Sequence, residues 1–398
     1  MKLTGLRLRE VTGTIHHDTE FWEERLIRPI DVYPEHRAEG PGGWLPERID
    51  ETRSRIRTVF LQIDTDEGVT GIGGPMQREV AFAIDHQFRN LLMGEDPLAT
   101  ERVWDKMYRL AVHGRKGVEM MAISTIDCTL WDIRGKAANL PVYRLLGGPI
   151  RTTLPAYASA LGFSLEPEKV HTRVKEFVAQ GYTATKWFPR WGPTDGRAGI
   201  ARNVELAQTL RDALGPDNDF MLDAWMSWDV SYTVKMSELL EDLRPRWIDE
   251  PVMPDLIDAC GEIARRSRVP IATGEHEYTR WGLKQLMDVH AAEVLQPDTY
   301  WAGGITEMVK ICAVASCYGL FVIPHGHSVP ANVHLSAALP TPYVPLVEYL
   351  IKWQQLLQHF WKNPLVPVNG NVTVPDGPGM GMELDPAKIE SERDLHWD

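Results

Sequence analysis

Three short apolar runs of the sequence each end in an acidic residue at the same spacing. Asp223, Asp249 and Glu275 follow one another at intervals of 26 residues (249 − 223 and 275 − 249). A strand with its crossover helix occupies ~30 residues, so the three acids are predicted at the same ends of three successive parallel strands. Three carboxylates that meet at one point repel one another unless a cation lies between them. Hard oxygen ligands without His or Cys favour Mg²⁺ over Zn²⁺. An acid after a strand can instead cap the next helix, but three acids at one period favour a metal site.

Glu250, next to Asp249, is the competing candidate for the second metal ligand. Successive side chains of a strand point to opposite sides, so only one of the two is expected to face inward. The equal spacing assigns Asp249 as the ligand.

An acid and a histidine follow two further apolar runs. Asp298 and His325 lie 27 residues apart (325 − 298), each at a predicted strand end. A carboxylate that accepts a hydrogen bond from one imidazole nitrogen fixes the tautomer and leaves the other nitrogen free to take a proton. His325 is therefore predicted to be a general base that Asp298 orients, with His327 as the alternative imidazole.

Three more residues at strand ends are candidates for the same site. Lys186 is expected to face a metal-bound carboxylate, although a surface lysine at a barrel rim is the alternative. His276, beside Glu275, is expected to hydrogen-bond a substrate oxygen or to solvate the ligand. Glu348 ends the last apolar run and completes the ring.

The polar segment 14–53 is long for a connection within a compact domain, and such loops are usually functional or disordered. Its cations, represented here by His36 and Arg48, are candidates to hold the substrate. Solvated surface residues are the alternative interpretation.

Strand-like and helix-like segments alternate from Leu154 onward, which predicts an α/β fold. The predicted strands are Leu154 to Ser159, Ala184 to Phe188, Phe220 to Asp223, Trp247 to Asp249, Ile271 to Gly274, Glu293 to Gln296, Phe321 to Pro324 and Leu346 to Glu348. Eight strands close a parallel barrel, whose active site lies at the carboxyl ends of the strands. A doubly wound open sheet usually has a glycine-rich phosphate loop, and the sequence contains no GxGxxG or GxxxxGK[ST] motif.

Earlier segments predict a second, α+β domain. The strands Leu3 to Val11 and Arg57 to Asp64 precede helical patterns over Glu79 to Leu110 and Gly117 to Asn139. We therefore expect a modified TIM (β/α)-barrel over residues 126–349, with an α+β capping domain over residues 1–125 that the tail 350–398 joins.

The bulk composition restricts the classes of partner. A formal net charge of −13 argues against a nucleic-acid partner, which would need clustered Lys and Arg. No apolar run is long enough to span a membrane or form a signal peptide, and the four cysteines form no CxxC pair. We expect a soluble, cytoplasmic protein that acts on a small molecule and has buried, reduced thiols.

The ordered set of site residues, under an α+β domain, resembles the mandelate racemase subgroup of the enolase superfamily. The set comprises Lys186, Asp223, Asp249, Glu275, Asp298 and His325. The segments Lys186 to Pro193, Asp223 to Ser227, Gly274 to His276 and Pro324 to Gly326 are similar, more narrowly, to the L-rhamnonate dehydratase branch of the acid-sugar dehydratases. Phe188 stands where racemases of the subgroup have a second lysine, which disfavours two-base racemisation. Asp249 stands where the family has Glu.

The resemblance implies a function and an assembly. It implies Mg²⁺-dependent dehydration of a sugar acid (an aldonate) to a 2-keto-3-deoxy acid. In this scheme His325 removes the proton next to the carboxylate, a metal-stabilised enediolate forms, and His276 and Glu348 touch the substrate. It also implies a homo-oligomer.

An epimerase, racemase or cycloisomerase that uses the same site is the alternative. Metal-assisted hydrolysis is disfavoured because such sites usually have His ligands. A non-catalytic relative would be expected to have lost some of the site residues, and this sequence retains all of them.

Overall fold

The computed structural model describes residues 1–18, 20–37 and 45–397, so part of the segment 14–53 lies outside the described residues. The described strands are β1 (Leu3–His16), β2 (Glu47–Arg48), β3 (Arg53–Thr65), β4 (Thr70–Met76), β5 (Thr153–Ser159), β6 (Ala184–Trp187), β7 (Asp219–Asp223), β8 (Ile248–Asp249), β9 (Ile271–Thr273), β10 (Val294–Leu295), β11 (Phe321–Val322), β12 (Val347–Leu350), β13 (Asn371–Thr373) and β14 (Ser391–Leu395).

The described helices are α1 (Arg78–Ala83), α2 (Arg89–Leu92), α3 (Thr100–Leu110), α4 (Val118–Ala138), α5 (Val142–Leu145), α6 (Pro167–Ala179), α7 (Gly196–Leu214), α8 (Val230–Leu240), α9 (Ile257–Arg266), α10 (Thr279–Asp288), α11 (Gly304–Cys317), α12 (Val329–Ala338) and α13 (Trp353–Leu357). A π-helical segment, Ile84–Phe88, joins α1 to α2. In the part of the chain that the structure describes, no helix combines the length and apolarity that a membrane crossing requires.

Strands β5 to β12 form one curled parallel sheet, in the order β11-β10-β9-β8-β7-β6-β5-β12. Helices alternate with these strands along the chain, as expected when parallel strands are joined by crossovers. Strand β13 adds to β5 in the antiparallel sense. The prediction of a (β/α)-barrel with an α+β cap is confirmed.

A layer of apolar side chains fills the interior of the barrel. One buried residue comes from each of seven successive strand regions: Tyr157, Ala184, Met221, Trp247, Ala272, Val294 and Ile323. Side chains two residues apart on a strand point to the same side. The residues two positions further along therefore point inward as well and form a layer nearer the carboxyl ends of the strands. We call this end of the barrel the barrel mouth.

The cap has its own antiparallel sheet and core. The order of its strands is β14-β1-β3-β2, with β4 paired to β3. Helices α1 to α4 cover one face through a cluster that includes Leu61, Phe88, Trp104 and Ile126. Gly73 lets α4 approach the sheet, because a Cβ atom there would lie 2.0 Å from the hydroxyl of Thr129.

Helix α4 touches both parts of the molecule. Asp127 accepts a hydrogen bond from the backbone of Thr306 in α11, and the indole of Trp131 donates to the hydroxyl of Thr306. The domain division predicted between residues 125 and 126 falls inside this helix and stays a prediction.

Candidate active site

The inward layer above the apolar one is polar and buried. It comprises Ser159, Lys186, Asp223, Asp249, Gln296, His325 and Glu348. Each lies two residues after a member of the apolar layer or of its edge, so the strand alternation that fills the barrel also presents these side chains at its mouth. Glu275 and Asp298 follow β9 and β10 in the loops.

Lys186 lies at the centre of this layer. Its Nζ atom is 2.9 Å from Asp223, 2.8 Å from Asp249 and 2.9 Å from Glu348. Burial alone would lower the pKa of this lysine, but the three carboxylates raise it well above its usual value. Lys186 is therefore a buried cation and not a surface lysine of the rim.

The three predicted metal ligands lie together at the mouth. Oxygen atoms of Asp223, Asp249 and Glu275 all lie within 4.8 Å of one another, and all three residues are buried. Burial raises the pKa of Glu275 to about 7, and burial and neighbouring acids hold the pKa of Asp249 well above its usual value. The Oε2 atom of Glu275 is buried and accepts no hydrogen bond within the described chain. Hard, crowded and partly unpartnered oxygens of this kind suit a divalent cation.

Glu250 also faces this site, so the prediction that strand alternation turns it away is wrong. Strand β8 ends at Asp249, and Glu250 has a φ of +40°, in the left-handed region. The alternation of side chains between the two sides of the strand therefore ends at Asp249, one residue before Glu250. The carboxylate of Glu250 turns toward His276, and the two side chains lie within 4.8 Å of Glu275 as a second acidic group.

His325 and Asp298 form the predicted pair. Asp298 Oδ2 lies 3.0 Å from His325 Nδ1, and because a carboxylate only accepts, Nδ1 carries the hydrogen. His325 Nε2 then faces the cluster, 3.5 Å from Glu275. Burial acts to lower the pKa of His325, but Glu275 and Asp298 raise it to about 10. A divalent cation among the carboxylates would offset this charge and lower that pKa.

His276 forms a second imidazole–carboxylate pair. Its Nδ1 atom lies 2.6 Å from Glu250 Oε2, and its backbone N–H donates to the same carboxylate. Burial acts to lower the pKa of His276, whereas Glu250 raises it to about 9. A protonated His276 can donate a hydrogen bond from Nε2.

Aromatic rings surround the two histidines. The ring of Trp301 lies 5.0 Å from that of His325, 5.8 Å from that of His276 and 5.1 Å from that of His327. The ring of Trp225 is 5.8 Å from His276 on another side. The imidazoles therefore work beside apolar walls.

Part of the segment 14–53 covers the barrel mouth. Trp22 and Leu26 pack with Leu161, Phe188 and Leu350, which come from the ends of β5, β6 and β12. Lys352 Nζ lies 2.9 Å from Glu23 Oε1 and donates to the carbonyl of Gly162 at 2.9 Å. The described part of this segment reaches the site through apolar packing and the Glu23–Lys352 ion pair.

The two substrate-binding residues predicted in that segment have described contacts with other residues of the segment. Arg48 is exposed on β2 and donates to the carbonyl of Asp50. The backbone carbonyl of His36 accepts a hydrogen bond from Arg28. These contacts include no residue of the carboxylate cluster, so the role of both residues stays a prediction.

Sequence reasoning passed over Gln296 and Trp301. With its amide nitrogen turned to Asp249, Gln296 donates at 2.6 and 2.7 Å and accepts from the hydroxyl of Tyr157 at 3.0 Å. The period-2 alternation of β10 would have placed Gln296 inward. For Trp301 the sequence offers no equivalent signal, because it lies in a loop.

Comparisons with known proteins agree with this geometry. Residues 169–388 match the family described as Enolase C-terminal domain-like, and residues 48–147 match the Mandelate racemase / muconate lactonizing enzyme, N-terminal domain. The chain is 31% identical to an L-rhamnonate dehydratase of Saccharopolyspora erythraea, over 100% of both chains. It superposes on a rhamnonate dehydratase of Gibberella zeae complexed with Mg with a TM-score of 0.82 and 28% identity, covering 97% of this chain and 95% of the other.

A third relative has a different activity. The 3,6-anhydro-D-galactonate cycloisomerase of Zobellia galactanivorans is 27% identical, with a TM-score of 0.78 and coverage of 98% and 99% of the two chains. The family matches, the full-length relatives and the acidic cluster at the barrel mouth lead to one assignment. The chain belongs to the mandelate racemase / muconate lactonizing enzyme family of the enolase superfamily, and it is an enzyme of that family.

Proposed function

We propose that the protein dehydrates a sugar acid, an aldonate, to a 2-keto-3-deoxy acid with Mg²⁺ as its cofactor. The observation that carries the proposal is the meeting, at one barrel mouth, of a buried carboxylate triad and a histidine whose free nitrogen faces that triad. Rhamnonate dehydratases of similar sequence, one of them solved with Mg, support the reaction class.

Asp223, Asp249 and Glu275 are the proposed Mg²⁺ ligands. All three offer oxygen atoms, which Mg²⁺ prefers, and the buried Oε2 of Glu275 accepts no hydrogen bond in the described structure. When bound, Mg²⁺ supplies positive charge beside the substrate carboxylate and so makes the adjacent C–H bond more acidic. Asp249 is preferred to Glu250 because it lies in the all-carboxylate group with Asp223 and Glu275, whereas Glu250 is grouped with Glu275 and the imidazole of His276.

The proposed acid–base steps use the two imidazole pairs. His325 Nε2 takes the proton from the carbon next to the carboxylate, while Asp298 holds Nδ1–H and stabilises the imidazolium. The C–H electron pair moves into the enediolate, which then expels the hydroxyl on the next carbon. His325 or His276 protonates that hydroxyl, so that water leaves and the resulting enol becomes the 2-keto acid.

Lys186 and Glu348 are the proposed contacts of the substrate near the reacting carbons. The Nζ atom of Lys186 can donate to a carboxylate oxygen, and Glu348 can accept from a substrate hydroxyl. Glu348 Oε2 also accepts from the backbone of Gly326 at 2.9 Å, which ties it to the turn after His325. His36 and Arg48 are proposed for the distal end of the substrate.

The organisation of the chain follows the same proposal. We propose that residues 1–125, joined by the tail 350–398, form the capping domain and that residues 126–349 form the catalytic barrel. We also propose a homo-oligomer, which sedimentation velocity would test.

Free cysteines suit a reducing compartment, so we propose a cytoplasmic location. Cys128, Cys260 and Cys312 are buried, but the prediction of a buried thiol is wrong for Cys317, which is exposed at the end of α11.

A screen of aldonic acids with Mg²⁺ tests the proposal. The purified protein is incubated with each acid, and 2-keto-3-deoxy product is measured. Turnover of at least one acid is expected, and it should disappear with EDTA and in His325→Ala. Binding of Mg²⁺ without turnover of any aldonate would contradict the dehydratase proposal.

An epimerase, racemase or cycloisomerase on a sugar acid is the second candidate. It is favoured by the cycloisomerase among the similar structures, which shows that this fold also supports isomerisation. Such a reaction releases no water, so product mass distinguishes it from dehydration. Phe188, whose ring packs in the apolar cluster over the mouth, offers no second base for two-base racemisation.

A further inference from the structure

Ser328 is a buried serine whose hydroxyl reaches the carboxylate of Asp298. Its Oγ atom lies 2.5 Å from Asp298 Oδ1, and the residue is 2% exposed. Ser328 occupies the N-cap position of α12, where a serine usually caps its own helix. Here its side chain makes no cap hydrogen bond. The hydroxyl therefore serves Asp298 and not the helix.

The direction of the Ser328 hydroxyl follows from its neighbours. The backbone N–H of Tyr300 points at both atoms, with its nitrogen 2.8 Å from Asp298 Oδ1 and 3.2 Å from Ser328 Oγ. A hydroxyl has a single hydrogen, and a carboxylate can only accept. Ser328 must therefore donate to Asp298.

The two oxygens of Asp298 consequently have different partners. Oδ1 accepts from Ser328 and from the backbone of Tyr300, while Oδ2 is left for His325 Nδ1 at 3.0 Å. A carboxylate held at one oxygen by two donors cannot rotate without losing both bonds. The plane of the imidazole is fixed as a result.

The loops that carry the pair are joined by side chains as well. Asn332 in α12 donates to the backbone carbonyl of His325 at 2.7 Å and accepts from the hydroxyl of Thr299 at 2.6 Å. His325 is thus fixed at its backbone by α12. The ring orientation remains to be set by Asp298.

We propose that Ser328 is a positioning residue for proton abstraction: it locks Asp298 so that His325 Nε2 points at the substrate. The inference rests on the proposed function of His325 as the base. Ser328 touches neither the carboxylate triad nor the substrate side of His325 in the contacts described. Its effect should therefore fall on the chemical step and leave binding of substrate and Mg²⁺ intact.

The experiment compares Ser328→Ala with Ser336→Ala. Ser336 lies on the same helix and is also fully buried, but its hydroxyl has no hydrogen-bond partner in the described structure. In Ser328→Ala we expect kcat to fall about tenfold to a hundredfold, the range for one hydrogen bond to a charged group, with KM unchanged. An α-deuterated substrate should show a larger isotope effect on kcat. Ser336→Ala should retain the wild-type values.

A measurement without turnover separates this proposal from the proposed function. In the Mg²⁺-loaded protein with labelled histidine, the Nδ1 proton of His325 is identified by its loss in His325→Ala. Its resonance should shift or broaden in Ser328→Ala and stay unchanged in Ser336→Ala.

An unchanged resonance in Ser328→Ala would overturn the proposal, whatever happens to kcat. Equal losses of kcat in the two serine variants would also overturn it, because they would indicate a general packing effect. If the wild-type protein turns over no aldonate, the proposed function fails, and the resonance comparison alone decides the role of Ser328.

Discussion

Asp249 and Glu250 are neighbours in sequence that face different partners. Asp249 lies 2.8 Å from Lys186 and joins the carboxylate triad, whereas Glu250 pairs with His276 at 2.6 Å. Both are buried, so both charges depend on the partners they have. The two substitutions should therefore separate metal binding from acid–base chemistry.

We predict that Asp249→Asn abolishes measurable Mg²⁺ binding, while Glu250→Gln leaves the dissociation constant for Mg²⁺ within the same order of magnitude. Glu250→Gln should instead lower kcat, because His276 loses the carboxylate that orients it and keeps it protonated. Isothermal titration with Mg²⁺ and steady-state kinetics on both variants provide the check. Loss of Mg²⁺ binding in Glu250→Gln would identify Glu250 as the ligand.

We predict that His325→Asn lowers kcat by at least about 10² to 10⁴, the usual contribution of a positioned general base. The amide approximates the shape of the imidazole but cannot take the proton at neutral pH. Solvent exchange of the α-proton of the substrate should stop as well, and Mg²⁺ affinity should be retained. Continued exchange in this variant would show that another residue is the base.

At the residue scale, the sequence predicted whatever depended on regular strand geometry. Asp223, Asp249 and His325 could be placed because each ends an apolar run and the barrel brings such ends together. Glu250 was misplaced because its backbone turns into the left-handed region directly after β8, and no strand or helix pattern pointed to Ser328. Their directions depend on local turns and on partners distant in sequence.

At the scale of elements, the strands of the barrel were predictable to within a few residues. Strand β6 begins at Ala184, as predicted, and β7 begins at Asp219, one residue before the predicted Phe220. By contrast, the helical pattern over 79–110 is broken in the structure between α2 and α3. The segment 14–53 carries little periodicity, and its position is set by contacts with strand ends more than a hundred residues away.

The junction of α4 with α11 should make stability depend on pH. Burial raises the pKa of Asp127 to about 7, and its Oδ1 atom has no hydrogen-bond partner in the described structure. In the unfolded chain the pKa of this group lies near 3.8, the ordinary value for an aspartate. The folded state thus holds a proton that the unfolded state releases, so the contribution to stability is full below pH ~4 and is lost as the pH rises to ~7.

We predict that Asp127→Asn becomes more stable relative to wild type as the pH rises from about 4 to about 7, by at most about 4 kcal/mol. Asparagine cannot ionise but can still accept from the backbone of Thr306. Urea unfolding of both proteins in EDTA at several pH values measures this difference. A difference that does not change with pH would contradict the argument.

A mostly buried ion pair of Glu23 with Lys352 joins the segment 14–53 to the barrel. We predict that Glu23→Gln weakens docking of this segment and raises KM for the aldonate severalfold, because Lys352 loses its charged partner. Glu24→Gln is the matched control, since Glu24 pairs with Arg190 in a more exposed setting. Equal effects of the two substitutions on KM would contradict a specific role for the Glu23 pair.

At the scale of the whole molecule, Mg²⁺ should act as a folding ligand. Asp223, Asp249 and Glu275 are buried with oxygen atoms within 4.8 Å of one another, and their mutual repulsion favours unfolding until a cation offsets it. We predict that Mg²⁺ at 100 times its dissociation constant raises the free energy of unfolding by about 2.7 kcal/mol. Thermal unfolding in Mg²⁺ and in EDTA measures the shift, which should be absent in Asp249→Asn. An equal shift in that variant would place the ion elsewhere.

The pairing of β14 with β1 has a consequence for biosynthesis. Arg7 on β1 forms an ion pair with Asp394 on β14, and these residues are 387 positions apart. A ribosome that adds about 5–20 residues per second needs roughly 20 to 80 seconds to supply the second partner after the first. During this interval the β1 edge of the nascent cap sheet has open backbone donors and acceptors, which can pair with other chains.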